Sequence, residues 1–208
     1  MNKKFKIMKN IFSFIVLFIS LLSCKAQQTV GIYDGDPSLP EGTYYKDLNN
    51  DLDKFTGTWK FEQGNTVLII ILEKKDHVLN TTFNQYEDLI VGEYKYEFNN
   101  QVVLDYLYRI DMTILNEYQH NIYGNAILNS TDTPNCEQCN TLERRLKIIF
   151  KDPEREYIPS NIVLRHQTIN GVEQLTAILG GSSSYAVTEE NLPSQPRVPY
   201  GTYVLIKQ

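Results

Sequence analysis

The stretch FTGTWKF, Phe55–Phe61, contains the only tryptophan of the 208-residue chain and marks the point where its hydrophobic pattern changes. Before it, Leu48, Leu52 and Phe55 recur at spacings of four and three, which predicts one or two helical turns. After Gly57 the apolar residues alternate, as in β-strands with one dry and one wet face. Glu93, Lys95 and Glu97 interleave with Tyr94, Tyr96 and Phe98. Beyond Asn99-Asn100, which reads as a tight hairpin turn, VVLDYLYRIDMTIL places Val102, Leu104, Tyr106, Tyr108, Ile110, Met112 and Ile114 on one face of a single long strand. The alternation recurs in Leu146, Ile148 and Phe150, in Ile162 and Leu164, in Leu175, Ala177 and Leu179, and in Thr202, Val204 and Ile206.

About eight to ten strands separated by turn signals predict an all-β fold, an antiparallel meander closed into a barrel over residues 47–208. One strand departs from the rule. In TVLIIILEKK both Val67, Ile69, Ile71 and Leu68, Ile70, Leu72 are apolar, so both faces are expected to be covered. The covering candidates are residues 182–199, kept extended by Pro193, Pro196 and Pro199, or a second copy of the chain on a patch formed by Leu68, Ile70 and Leu72.

A Gly-x-Trp opening the first strand, after a helical turn and before a meander, resembles the calycins, the lipocalins and fatty-acid-binding proteins. The resemblance rests on Gly57 and Trp59 and implies a barrel that binds a small apolar or amphipathic ligand. It implies that Trp59 closes one end, against an arginine such as Arg165 or Arg197. Tyr94, Tyr96, Tyr106 and Tyr108 are the candidate lining residues: a tyrosine presents a hydroxyl beside an apolar body. The same side chains are large enough to fill a small barrel completely.

The N-terminus carries a different message. MNKKFKIMKN is basic, and IFSFIVLFISLL is apolar but too short to span a bilayer. Leu21-Leu22-Ser23-Cys24 resembles the lipobox of bacterial lipoproteins, which implies cleavage after residue 23 and acylation of Cys24. Lys25 follows in place of the aspartate that retains such proteins in the inner membrane, and no acid precedes Asp34. The resemblance therefore implies an outer-membrane anchor on the periplasmic face. Residues 24–46, rich in Gly, Pro and Asp, read as a tether. Lipobox, tether, FTGTWKF and meander together are similar to the uncharacterised small lipoproteins of the Bacteroidota.

Formal charge is −5, and loss of Lys3, Lys4, Lys6 and Lys9 with the leader makes it more negative. Clustered Lys and Arg are what nucleic-acid binding requires, so that partner is not expected. Arg144, Arg145 and Lys147 alternate with Leu146 and Ile148 and read as the wet face of a strand. In TPNCEQCNT, Cys136 and Cys139 lie in a polar loop; in an oxidising compartment a local disulfide is the first reading. Zinc is the alternative and would need His77, His120 or His166 to complete the ligand set. No Gly-x-Ser-x-Gly, His-Glu-x-x-His or phosphate-binding glycine loop occurs. The expectation is therefore a non-enzymatic module without metal or cofactor, its partners being a membrane, a small ligand and, on the alternative reading of a fully packed barrel, an envelope protein or a second copy.

Overall fold

The computed structural model describes residues 26–33, 36, 38–112, 116–181 and 192–208. It is all-β. The strands are β1 (Thr29–Gly31), β2 (Tyr44–Lys46), β3 (Gly57–Gln63), β4 (Thr66–Asn80), β5 (Gln85–Phe98), β6 (Gln101–Asp105), β7 (Ile122–Leu128), β8 (Arg145–Phe150), β9 (Ser160–Ile169), β10 (Val172–Gly181) and β11 (Gly201–Lys207). Pairing runs β5-β4-β3-β11-β10-β9-β8-β7, and β7 returns to β5, closing an eight-stranded antiparallel barrel consistent with the calycin pattern. Asn99 and Asn100 both take left-handed backbone angles, as a two-residue hairpin turn demands.

Three segments use the free edge of β5. β7 pairs with it at Ile90, Val91 and Gly92, β6 at Lys95–Phe98, and β2, in parallel, at Tyr86 and Glu87. β1 extends the sheet beyond β2. Residues 29–31 and 44–46 are thus sheet strands, where the sequence had suggested only tether. Buried Asp88 fastens them: it accepts from the Tyr44 hydroxyl and from the Asp47 and His77 N–H groups.

The inward positions form one continuous core: Leu68, Ile70 and Leu72 of β4, Tyr94 and Tyr96 of β5, Leu146, Ile148 and Phe150 of β8, and their counterparts around the ring. Leu68, Ile70 and Leu72 therefore face inward and form no outer patch; Val67, Ile69 and Ile71 are the half-exposed outer set. On β11 it is Tyr203 and Leu205 that point in, while Val204 and Ile206 point out, the reverse of the expected face.

The long strand expected through residue 114 ends at Asp105. Beyond it the chain turns through a 3₁₀ turn at Leu107–Arg109 and crosses the outer face of β5, where Ile110 and Tyr118 cover Leu89 and Val91. Ile114 lies outside the described residues. This layer buries Glu93 completely, and Glu93 meets His120 Nδ1 at 3.0 Å, Asn121 Nδ2 at 2.5 Å and Arg109 Nε at 3.7 Å.

Each barrel end is plugged. At the end holding the 3₁₀ turn Asp53–Phe55, Leu52 and Phe55 lie over Trp59, whose indole N–H donates to the Phe55 carbonyl at 2.8 Å. At the other end Val198 enters the core and Arg197 grips buried Asp152, Nη2 to Oδ1 at 2.5 Å and Nε to Oδ2 at 3.2 Å. Val198 belongs to the segment expected to overlie β4; residues 182–191 lie outside the described set. Burial acts to raise the Asp152 carboxyl, but hydrogen bonds from Arg197 and from the Glu154 N–H outweigh it and hold the group below the usual carboxylate range.

Two predictions follow from this packing. A Cβ on Gly92 would lie 2.5 Å from the Ile71 carbonyl and 2.6 Å from Leu72 Cδ2, whereas one on Gly180 meets nothing within 4 Å. Gly92→Ala should cost about 1–3 kcal/mol and lower the melting temperature by several degrees, with Gly180→Ala nearly neutral; equal melting of the two variants would contradict the packing. A carboxyl held low in the folded state adds stability above its unfolded value of about 3.9 and loses it as pH falls through the folded one. Asp152→Asn should therefore melt below the unaltered protein at neutral pH, and the gap should close at strongly acid pH.

Candidate functional site

The expected lining residues do not enclose one pocket. Trp59 and Tyr94 are fully buried and Tyr96 nearly so. Trp59, Ile70 and Tyr94 form a cross-strand row, and Tyr94 stacks on Phe150 with centroids 4.5 Å apart while its hydroxyl donates to the Lys151 carbonyl at 2.9 Å. Tyr106 packs half-buried against the core just after β6. Tyr108 is 64% exposed, so it lines no interior: its strand ended three residues earlier. The cation over Trp59 is Lys207, 5.3 Å from the ring, with His166 edge-on; Arg165 is engaged by Glu143 and Arg197 by Asp152.

Two hollows lie instead where β7 leaves β5. The pairing of β7 with β8 shifts register between Tyr123 and Ala126, so Gly124-Asn125 forms a bulge; Gly124 takes φ +140°, a conformation that favours glycine. The bulge aims Asn125 at Glu87, which accepts from Asn125 Nδ2 at 2.6 Å, from Asn80 Nδ2 at 2.9 Å and from the Tyr118 hydroxyl. On one side of this knot a groove of about 660 Å³ runs along the outer face of β7 and β8, walled by Tyr118, Tyr123 and Ile149 and ending near Ile158 and Pro159. On the other a smaller hollow of about 180 Å³ lies among Ile32, Tyr45 and Phe83.

The larger groove is mainly apolar with a few polar groups converging on it. Lys147 opens onto it and makes no ion pair with any described residue. Lys151 donates to the Tyr118 carbonyl at 2.9 Å and lies 4.5 Å over the Tyr123 ring; burial pulls its ammonium below the usual lysine range. Burial, followed by the hydrogen bond to Glu87, raises the Tyr118 hydroxyl, and burial raises Tyr123, so both stay neutral donors. The Glu93–His120–Asn121 cluster pins the far side of the Tyr118 wall to β5. An aromatic-lined groove whose lining adds Lys147 and Lys151 beside Glu87 and Glu156 can hold an apolar body carrying a polar or charged head.

The sequence did not single out Glu87, Tyr118, Tyr123 or Asn125, and it placed Lys147 only on the wet face of a strand. The one available signal was Gly124-Asn125 inside a strand pattern, which marks a bulge. Arg145 was assigned to a wet face but is 2% exposed: its guanidinium donates to the carbonyls of Asn129, Asp132 and Pro134 and holds the 129–144 loop. In that loop Cys136 and Cys139 are joined by a disulfide. Among the described residues no three His, Cys, Asp or Glu side chains gather as a metal site. Cys24 lies outside the described residues.

No curated protein and no solved structure matches the chain. Residues 8–208 match the family of unknown function DUF6705, and with that coverage the chain belongs to this family.

Proposed function

We propose that this protein is a lipid-anchored binding module of the bacterial envelope, tethered through acylated Cys24 to the periplasmic face of the outer membrane, and that it holds a small amphipathic ligand in the groove outside β7 and β8. The observation that carries the reading is the groove itself. Its volume of about 660 Å³ falls within the few hundred to a thousand Å³ usual for small-molecule sites, while the space inside the barrel is taken by its own side chains. The resemblance of Leu21-Leu22-Ser23-Cys24 to a lipobox supports the anchor. Tyr118, Tyr123 and Ile149 suit the ligand's apolar body, and Lys147 suits an anionic head.

A second reading draws on the filled core: a structural lipoprotein that meets a partner through its outer wall. Ile178, Val204 and Ile206 are exposed on adjacent strands of that wall. Cross-linking in cells followed by sedimentation of the purified protein tests it, a monomer without a specific neighbour being the outcome that removes it.

Native mass spectrometry of the protein purified gently from its own membrane tests the first reading. A discrete extra mass, released on denaturation, is expected. Ile149 is 41% exposed, so Ile149→Glu should leave the melting temperature nearly unchanged while removing most of that mass. Retention of the full mass by Ile149→Glu, or a clean apo-mass in the unaltered protein, would overturn the assignment.

A further inference from the structure

The number of residues between Cys24 and Gln27 decides how the barrel sits on its membrane. Gln27 is held on both sides: its Nε2 donates to the Gly42 carbonyl at 3.0 Å and its Oε1 lies 3.0 Å from His77 Nε2. His77 is itself stacked on Tyr86 with centroids 4.3 Å apart. One residue on, the Gln28 carbonyl accepts from the Tyr44 N–H at 2.7 Å, and β1 begins at Thr29. Three residue steps separate Cys24 from Gln27, and a fully extended chain covers about 11 Å in that number. The headgroup layer of one leaflet is about 5–8 Å thick. A barrel hung from an acylated Cys24 has no room to stand off.

The strand directions identify the end that is drawn in. β1 and β2 run parallel to β5, so Gln27 lies level with the start of β5, beside the β4–β5 tip; there the Gly42 N–H donates to the Asn84 carbonyl at 2.7 Å. That tip carries Phe83, 57% exposed although it is a large apolar side chain. The 129–144 loop and the β9–β10 hairpin open at the same end of the barrel, and they carry Leu142, 86% exposed, with Ile169 and Val172. The Arg144 guanidinium lies 3.7 Å over the Tyr33 ring, which joins the Leu142 loop to the N-terminal strands.

We propose that the anchored end of the barrel is a membrane-docking surface, with Phe83 and Leu142 placed in the headgroup region of the same leaflet that holds the Cys24 acyl chains. This inference rests on the lipid-anchor reading above. An exposed phenylalanine beside a short anchor gains apolar burial in the interface at no cost to the fold, and the two attachments reinforce one another because the acyl chains keep the tip at high local concentration. The opposite end, with Phe98 at the Asn99-Asn100 turn, points away from the bilayer.

The test uses the full-length lipidated chain, purified from a Gram-negative host and reconstituted into phosphatidylethanolamine–phosphatidylglycerol vesicles whose acyl chains are either plain or brominated. Phe83→Trp, Leu142→Trp and Phe98→Trp each add one fluorophore to Trp59, whose own signal is taken from the unsubstituted protein. Phe83→Trp and Leu142→Trp should lose about half or more of the added emission in brominated vesicles, as expected for side chains at the headgroup–acyl boundary, and Phe98→Trp should lose almost none. Equal quenching at all three positions, or at Phe98→Trp alone, overturns the docking surface. Intact mass of the same samples separates the two levels: acyl chains on Cys24 without quenching refute the docking surface alone, whereas an unmodified Cys24 refutes the anchor and the docking together.

Discussion

The barrel closes through three residue pairs, Ile90 with Gly124, Val91 with Tyr123 and Gly92 with Ile122, and the rest of the molecule is arranged around that short seam. Both glycines there are dictated by space and backbone. Gly92 has the Ile71 carbonyl where a Cβ would go, and Gly124 combines a positive φ with Ile148 Cγ2 at 3.2 Å. Beyond Gly124 the bulge turns β7 away from β5, and the edge of β5 would be left with unpaired amides and carbonyls. Such an edge is a liability that folds cover. Here β2 covers one flank and β6 the other, so the N-terminal strands and the hairpin partner both complete the wall that the seam leaves open.

The same departure separates architecture from site. Eight strands enclose a space that side chains can just fill, and Trp59, Tyr94, Phe150 and Tyr203 fill it. Room for a ligand arises outside, where the bulge and the covering residues 106–112 and 116–120 stand apart over the outer face of β7 and β8. Glu87 holds the two margins together through Tyr118 and Asn125, and buried Glu93 anchors the layer behind them. Removing a donor from buried Glu93 would leave a poorly compensated buried charge, and removing one from half-buried Glu87 would untie the two margins, so these contacts keep the groove's walls in place as well as the fold.

Much of the fold was legible in the alternation, and little of the site. FTGTWKF located the first barrel strand and the turn that caps it, and the period-two pattern located β5, β8, β9 and β10, because each lays its alternate apolar side chains on the one continuous core. The pattern failed where pairing changes. Val102 to Ile114 alternate well enough for one long strand, yet the edge of β5 that such a strand would need is occupied by β7 at residues 90–92. Alternation also equates the outer face with water, which misplaced Glu93 and Arg145: each faces outward and is buried under a loop. The groove draws on β5, on the 3₁₀ turn at Glu117–Gln119, on β7 and on β8. Side chains so scattered are joined only by topology, and Gly124-Asn125 was the single local mark of the place.

On the proposed function this barrel is filled and a ligand lies against its outer wall. Amide chemical-shift mapping of the isotopically labelled protein, titrated with the ligand released from it or with 1-anilinonaphthalene-8-sulfonate as an apolar anionic probe, tests that claim most directly. Shifts concentrated at Tyr118, Tyr123, Asn125, Lys147 and Ile149 are expected, with the inward residues of β3 and β11 unmoved. Shifts concentrated at Trp59, Tyr94, Tyr96 and Tyr203 would contradict the claim and return the ligand to the barrel interior.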